Sequence, residues 1–299
     1  MTLTLEIDFA PAHELASSFY AFTHKSSHKV LELGASWVKS VKNRLPENFL
    51  KEIANDPEVC DLNLLVWACP GERSPEGFLA WLSGLSSGDL FDLFSRWSAQ
   101  VPADLSTKRD KLVWMLNVWN EQYFSQVEHA ILEGLQQNAE AMRSLMPLMP
   151  PSDLMEKATN GFRLNPDDKL EKIILIPQYH FRPANTSSHY ERISFTKYPV
   201  DALPVGIDEP SPSLLRFTRG LSDENRLHIL RFIAKTPQTF SDIVRHCGLS
   251  KGTVHYHLML LRAAGLVRVS MTGNLVEYSV RREALKDLNS QLNHYLVEL

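Results

Sequence analysis

The sequence predicts a mainly α-helical protein with a little β structure: a helical N-terminal domain carrying a short antiparallel sheet, then a smaller, helix-rich C-terminal domain. Three observations predict it. Apolar residues recur at helical spacing through most of residues 12–150 and 212–264, whereas residues 170–200 are rich in β-branched and aromatic side chains. Four prolines between Pro199 and Pro212 mark an extended connector. A chain of 299 residues exceeds one average domain, so the connector divides it into residues 1–205 and 206–299.

In the first domain, residues 3–9, LTLEIDF, alternate apolar and polar as a half-buried strand does. Ser74 followed by Pro75 reads as a helix start: the serine oxygen accepts an orphan N–H, and proline has no N–H to leave unpaired. Leu112, Leu116, Trp119, Tyr123, Val127, Ile131 and Leu135 fall on one stripe, which predicts a single long helix. Trp37, Trp67, Trp81, Trp97, Trp114 and Trp119 supply aromatic area for a core. A short helix over PPSDLMEKATNG stops at Gly161. LEKIILIPQYHF (170–181) and YERISFTKYPV (190–200) then read as a hairpin around the polar RPANTSSH, with the first strand as a further member of the sheet.

The local signals of the second domain are denser. Ser211 and Pro212 start a helix ending near Gly220, and Ser222 or Asp223 caps the next, in which Leu227, Leu230 and Ile233 recur. Thr239 and Asp242 form the Thr-x-x-Asp capping pattern of a third helix, FSDIVRHC, which stops at Gly248; Ser250 caps a fourth. A short helix, a turn containing glycine and a second helix make a helix-turn-helix, whose second member enters the DNA major groove. After Gly265, LVRVSMTGNLVEYSV reads as strand, Gly-Asn turn and strand, the wing of a winged helix-turn-helix. In the last helix Leu285, Leu288, Leu292, Tyr295 and Leu299 alternate at spacings of three and four. Such a seam pairs with a second copy or packs on its own domain; the expectation is a homodimer.

Charge separates the halves. Residues 212–299 hold 12 Lys/Arg against 7 Asp/Glu, a net +5, while residues 1–211 carry −9. A basic segment is what meeting phosphates requires. On the fourth helix Val254, Leu258 and Leu261 fall together toward a core. The candidate DNA contacts are therefore Ser250, Lys251, Gly252, Thr253, His255 and Tyr256, with Arg262 in the last turn. Arg268 is the basic residue nearest the wing, whose tip, Thr272-Gly273-Asn274, has none. Gly252 gives up helix propensity in a first turn; close approach of the DNA backbone is one reason for it, and tolerated drift is another.

The order of these elements, with SDENRLHILRFI, LSKGTVHYHLMLLRAAGLV and LVEYSV in their places, resembles the ArsR/SmtB family of bacterial winged-helix transcriptional regulators over residues 212–299. Residues 1–205 loosely resemble the helical N-terminal extension of a long subset of that family. The resemblance implies a regulator of transcription that binds double-stranded DNA through the helix-turn-helix, reads a palindromic operator and dimerises through its first and last helices. In many members metal binding releases the DNA. The family's metal positions do not carry over. TFSDIV holds no cysteine, and the last helix has Asp287 and His294 but no second histidine, with Glu298 four residues beyond His294 instead of three. No metal and no other cofactor is expected.

Other ligand-like groups fail on spacing. His255 and His257 lie about 200° apart around a helix, so His255 points outward and His257 toward the core. His24 and His28 are four apart but lack a third ligand nearby. Cys60, Cys69 and Cys247, an odd and scattered set, predict free thiols and a reducing compartment, with Cys247 a small buried hydrophobe and a redox switch its alternative use. With no apolar run of membrane-spanning length and no basic, apolar leader, the expected location is the cytoplasm, away from membranes. Residues 1–205 hold no Gly-rich phosphate loop, Gly-x-Ser-x-Gly or His-Glu-x-x-His, so the reading is not an enzyme. Its alternatives are an enzyme or ligand-binding protein with an appended DNA-binding domain, and a winged helix used only for protein contact. The first domain is expected to answer an unidentified small-molecule or protein effector, or to support the dimer.

Overall fold

The computed structural model describes residues 3–55, 62–98, 101, 103–165, 170–206 and 208–297. In chain order its elements are β1 (Thr4–Ile7), α1 (Pro11–Thr23), α2 (Gly34–Lys42), α3 (Glu47–Asn55), α4 (Asn63–Ala68), α5 (Pro75–Gly84), α6 (Ser87–Ser95), α7 (Leu105–Gln122), α8 (His129–Leu145), α9 (Pro151–Ala158), β2 (Phe162–Asn165), β3 (Lys172–Gln178), β4 (Thr186–His189), β5 (Ile193–Pro199), α10 (Pro212–Leu221), α11 (Glu224–Ile233), β6 (Gln238–Thr239), α12 (Phe240–Cys247), α13 (Lys251–Ala263), β7 (Val267–Thr272), β8 (Leu275–Val280) and α14 (Glu283–Val297). They form two compact units: residues 1–143 with 169–203, and residues 144–168 with 204–299.

The N-terminal unit packs helices on a four-stranded sheet of order β1-β3-β5-β4. The antiparallel hairpin expected of residues 170–200 is not there. β3 runs parallel to both β1 and β5, from Lys172↔Ile193 to Gln178↔Pro199, and only β4 and β5 are antiparallel. The reason lies in RPANTSSH, which is no hairpin loop: Arg182 and Pro183 belong to a turn after β3, its last four residues form β4, and the tight return to β5 is made by Tyr190 N–H donating to the Ile193 carbonyl. β3 is buried from Ile173 to Gln178, as a strand covered on both faces is.

The long helix expected through residues 112–135 is broken. α7 ends at Gln122, a 3-10 turn spans Phe124–Gln126, and α8 begins at His129. Tyr123 leaves helical geometry (φ −137°, ψ −61°), and its hydroxyl accepts from Trp37 Nε1 at 2.8 Å and meets His180 Nε2 at 2.7 Å. The apolar stripe survives the break, with Leu112, Leu116, Trp119, Ile131 and Leu135 all buried. Ser74 caps α5 through its side chain, as expected. Trp119 is fully buried among Phe19, Phe22 and Leu116 and donates to Ser18 Oγ at 2.9 Å, whereas Trp114 is half exposed.

The C-terminal unit keeps the expected order of capped helices. Ser211, Asp223 and Ser250 each accept a backbone N–H three residues on, and Asp223, not Ser222, is the cap of α11. Thr239 and Asp242 make both halves of a capping box, and Gly248 closes α12 in the left-handed region (φ +66°). Ile229, Ile233, Ile243, Val254, Leu258, Leu261 and Leu266 form one core. A Cβ on Gly220 would stand 2.9 Å from the Ala264 Cβ, so the approach of α10 to α13 requires glycine there. The wing hairpin β7–β8 pairs from Val267↔Val280 to Thr272↔Leu275.

One part of this unit lies far from the rest in sequence. Residues 144–165, which the sequence reading assigned with everything before residue 206, pack with the winged helix, and β2 adds to the wing to give the order β2-β7-β8-β6. Nothing in the spacing of FRLN announces this partner, because a four-residue strand carries almost no period.

Candidate nucleic-acid interface

α13 is set by its own sequence. The Ser250 hydroxyl accepts the Thr253 N–H at 3.1 Å and meets Thr253 Oγ1 at 2.8 Å, so these two candidates close the N-terminal turn together. The left-handed Gly248 turns the chain between α12 and α13. Hydrogen bonding from the Thr239 hydroxyl holds the Asp242 carboxyl below its ordinary pKa, and the Arg226 backbone N–H does the same at Asp223. Both groups are therefore carboxylates at helix N-termini, where the backbone dipole favours negative charge.

Burial sorts the two faces of α13. Val254, His257, Leu258 and Leu261 are buried, while Ser250, Lys251, Gly252, Thr253, His255, Tyr256 and Arg262 are exposed, Tyr256 by 53%. Seven of the eight candidate contacts thus share one open surface. Gly252 has no steric reason inside the chain: a Cβ there would meet only Ser250 Oγ, at 3.9 Å. His257 lies inside, 3.8 Å from Asp223 Oδ1 and opposite the exposed His255. Cys247 is half-buried against the core, and burial pushes its thiol up; Cys69 is likewise free, and Cys60 lies outside the described residues.

Arg268 is the candidate that stands apart. Its Nε and Nη2 both lie 2.7 Å from Glu156 Oε1, and Nη2 is 3.7 Å from Glu283. Its charge is taken up within the unit. Arg281 belongs to the same cluster, with Nη1 donating to Asn160 Oδ1 and the Gly265 carbonyl at 3.1 Å each. Sequence reading missed Glu156, Asn160 and Arg281 because the partners are more than 100 residues apart; the one available signal was a pair of carboxylates, Asp153 and Glu156, on a short helix.

The dimer candidates divide as well. Leu285 is 49% and Tyr295 37% exposed, Leu288 and Leu292 are partly buried with Leu288 against its own core, and Leu299 lies outside the described residues. Leu296 and Val297, which the seam did not include, are 66% and 73% exposed, and Leu215 on the neighbouring α10 is 40% exposed. His24 and His28 are occupied by Ser26 Oγ and the Phe22 carbonyl. Among the described residues no helix is long and apolar enough to cross a membrane.

Known proteins match part of this unit. Residues 223–269 match the family described as bacterial regulatory protein, arsR family. The transcriptional repressor SdpR of Bacillus subtilis (strain 168) is 30% identical over 76 residues, which are 25% of this chain and 84% of the repressor. Among solved structures, an ArsR-like transcriptional regulator from Rhodococcus sp. RHA1 shares 27% identity over 29% of this chain and 79% of its own, with a TM-score of 0.27. NolR from Sinorhizobium fredii shares 24% over 31% and 96%, with a TM-score of 0.24. The matched span runs from the cap of α11 through α13 into β7, the stretch whose caps and faces are described above, and most of a 30%-identical repressor is covered. By these matches the chain belongs to the arsR family of bacterial regulatory proteins.

Proposed function

We propose that the protein is a DNA-binding regulator of transcription that lays α13 in the major groove of double-stranded DNA. The observation that carries this reading is the open face of α13, where Lys251, His255 and Tyr256 surround a glycine that nothing inside the chain requires. A helix entering a groove needs backbone and short side chains close to the phosphates at its N-terminus, and groups able to meet base edges behind them. The repressor SdpR, similar over this span, supports it. In the same reading the N-terminal unit serves regulation through a small-molecule or protein effector. The test is anisotropy binding of the full chain to duplexes selected from a random pool, repeated at rising salt. Each phosphate neutralised contributes a slope of about −0.9 in log K against log salt. Binding without salt dependence, or no selected duplex at all, would overturn the reading.

The regulator acts as a homodimer on a palindromic site, with Leu285, Tyr295 and Leu296 of α14 and Leu215 of α10 supplying exposed apolar surface for the partner copy. Leu292→Glu together with Leu296→Glu is expected to halve the mass seen in sedimentation velocity and to weaken operator binding with it. An unchanged mass would place the interface elsewhere.

A further inference from the structure

The wing's cations are held by a segment of the chain that lies more than 100 residues before them. β7 and β8 carry Arg268 as their basic residue, and Arg281 follows β8 directly. Both guanidinium groups converge on Glu156 of α9, Arg268 at 2.7 Å and Arg281 Nε at 3.9 Å, and Glu156 is itself buried with Arg163 at 2.9 Å. The backbone completes the hold. β2 pairs in parallel with β7 from Phe162↔Val269 to Asn165↔Thr272, Gly161 accepts the Val269 N–H at 2.7 Å, and Asn165 Nδ2 donates to Thr272 Oγ1 at 2.9 Å beside the wing tip.

We propose that residues 151–165 are an autoinhibitory arm: docked, they occupy the edge of the wing, pair Arg268 with Glu156 and hold Arg281 through Asn160, and released, they leave both for DNA phosphate. The inference rests on the DNA-binding reading above and adds its regulation. Two features make the arm releasable. It is a short edge strand with four residue pairs, the kind of element that opens well before a core does. Its anchor is ionic, and phosphate offers an arginine the same charge-assisted, bidentate hydrogen bonding as a carboxylate. In sequence the arm lies between the two segments of the N-terminal unit, which end at residue 143 and resume at residue 169.

Gly161 offers a way to loosen the arm without altering charge. Its φ of +117° is disfavoured for any side chain, and a Cβ would stand 2.7 Å from the Val267 carbonyl oxygen. The experiment compares the full-length parent, Glu156→Gln and Gly161→Ala on a duplex selected by the parent, with hydrogen exchange of the peptide covering 267–272. Both variants are expected to exchange faster there, to bind DNA roughly three- to tenfold more tightly at moderate salt, and to steepen the salt slope by about one unit for each arginine that reaches a phosphate. Tighter binding in Glu156→Gln alone would reduce the effect to one lost negative charge and overturn the arm. Faster exchange with unchanged or weaker binding, or no change in either variant, would overturn it as well. A parent that selects no duplex fails the reading beneath the proposal, and the proposal falls with it.

Discussion

Tyr256→Ala and His255→Ala are each expected to cost about 1–3 kcal/mol of affinity for the selected duplex and far less for a scrambled one. Both side chains stand on the exposed face of α13, one turn beyond its N-terminus, where phenol and imidazole reach base edges or a thymine methyl. Lys251, in the first turn, meets phosphate, so Lys251→Ala is expected to weaken binding to all duplexes alike and to lower the salt slope by about one unit. Gly252→Ala separates stability from function. It replaces a helical glycine in open space, so the fold gains up to about 1 kcal/mol, while the methyl group holds the helix away from the backbone and binding weakens. Anisotropy titrations on both duplexes, beside thermal melts, measure every one of these quantities. Four variants that melt and bind like the parent would remove α13 from the interface and take the DNA-binding reading with it.

The winged helix was legible because its determinants are local. Ser211, Asp223, Thr239 and Ser250 each act on a residue three positions away, and Gly248 acts through its own φ. Spacing of that kind is written in the sequence. The N-terminal sheet was legible only as strands, since pairing direction depends on where chain segments meet. Even so, a signal was present: IILIP is a continuous apolar run, which fits a strand buried on both faces in a parallel sheet better than one arm of a half-exposed hairpin. The break at Tyr123 was hidden because the apolar stripe runs through it, and the partner that its hydroxyl meets there, His180, is 57 residues away. Arg268 reads as a free wing cation until Glu156, 112 residues earlier, is placed beside it. Buried ion clusters combine distant charges, and periodicity carries no information about them.

Glu14→Ala is expected to be far more damaging to the N-terminal unit than any surface change, because Glu14 is a fully buried carboxylate with every partner inside. Its oxygens accept the Tyr179 N–H at 3.1 and 3.2 Å, the His180 N–H at 3.0 Å and His180 Nδ1 at 2.5 Å, fixing the end of β3 against α1. Alanine strands two backbone donors and an imidazole away from water, a loss of about 3–5 kcal/mol; Glu14→Gln keeps one acceptor oxygen and should lose about 1–3 kcal/mol. Acid reaches a second buried pair nearby. Burial lowers the pKa of His13 below its ordinary 6.5. Burial alone would raise that of Asp8, but hydrogen bonds from His13 and Arg73 outweigh it and hold the carboxyl well below its ordinary 3.8. In both cases the unfolded chain takes up a proton that the folded chain refuses, so their stabilisation is complete above about pH 6.5, declines first through His13 as pH falls, and then through Asp8 below about pH 4. All six tryptophans lie in this unit, so urea unfolding followed by tryptophan fluorescence reports on it directly. The midpoint should fall steadily from pH 7.5 to pH 4.5 in the parent, and should drop sharply at pH 7.5 for Glu14→Ala with Glu14→Gln between. A midpoint indifferent to both acid and the alanine would mean that neither buried carboxylate holds the sheet to α1.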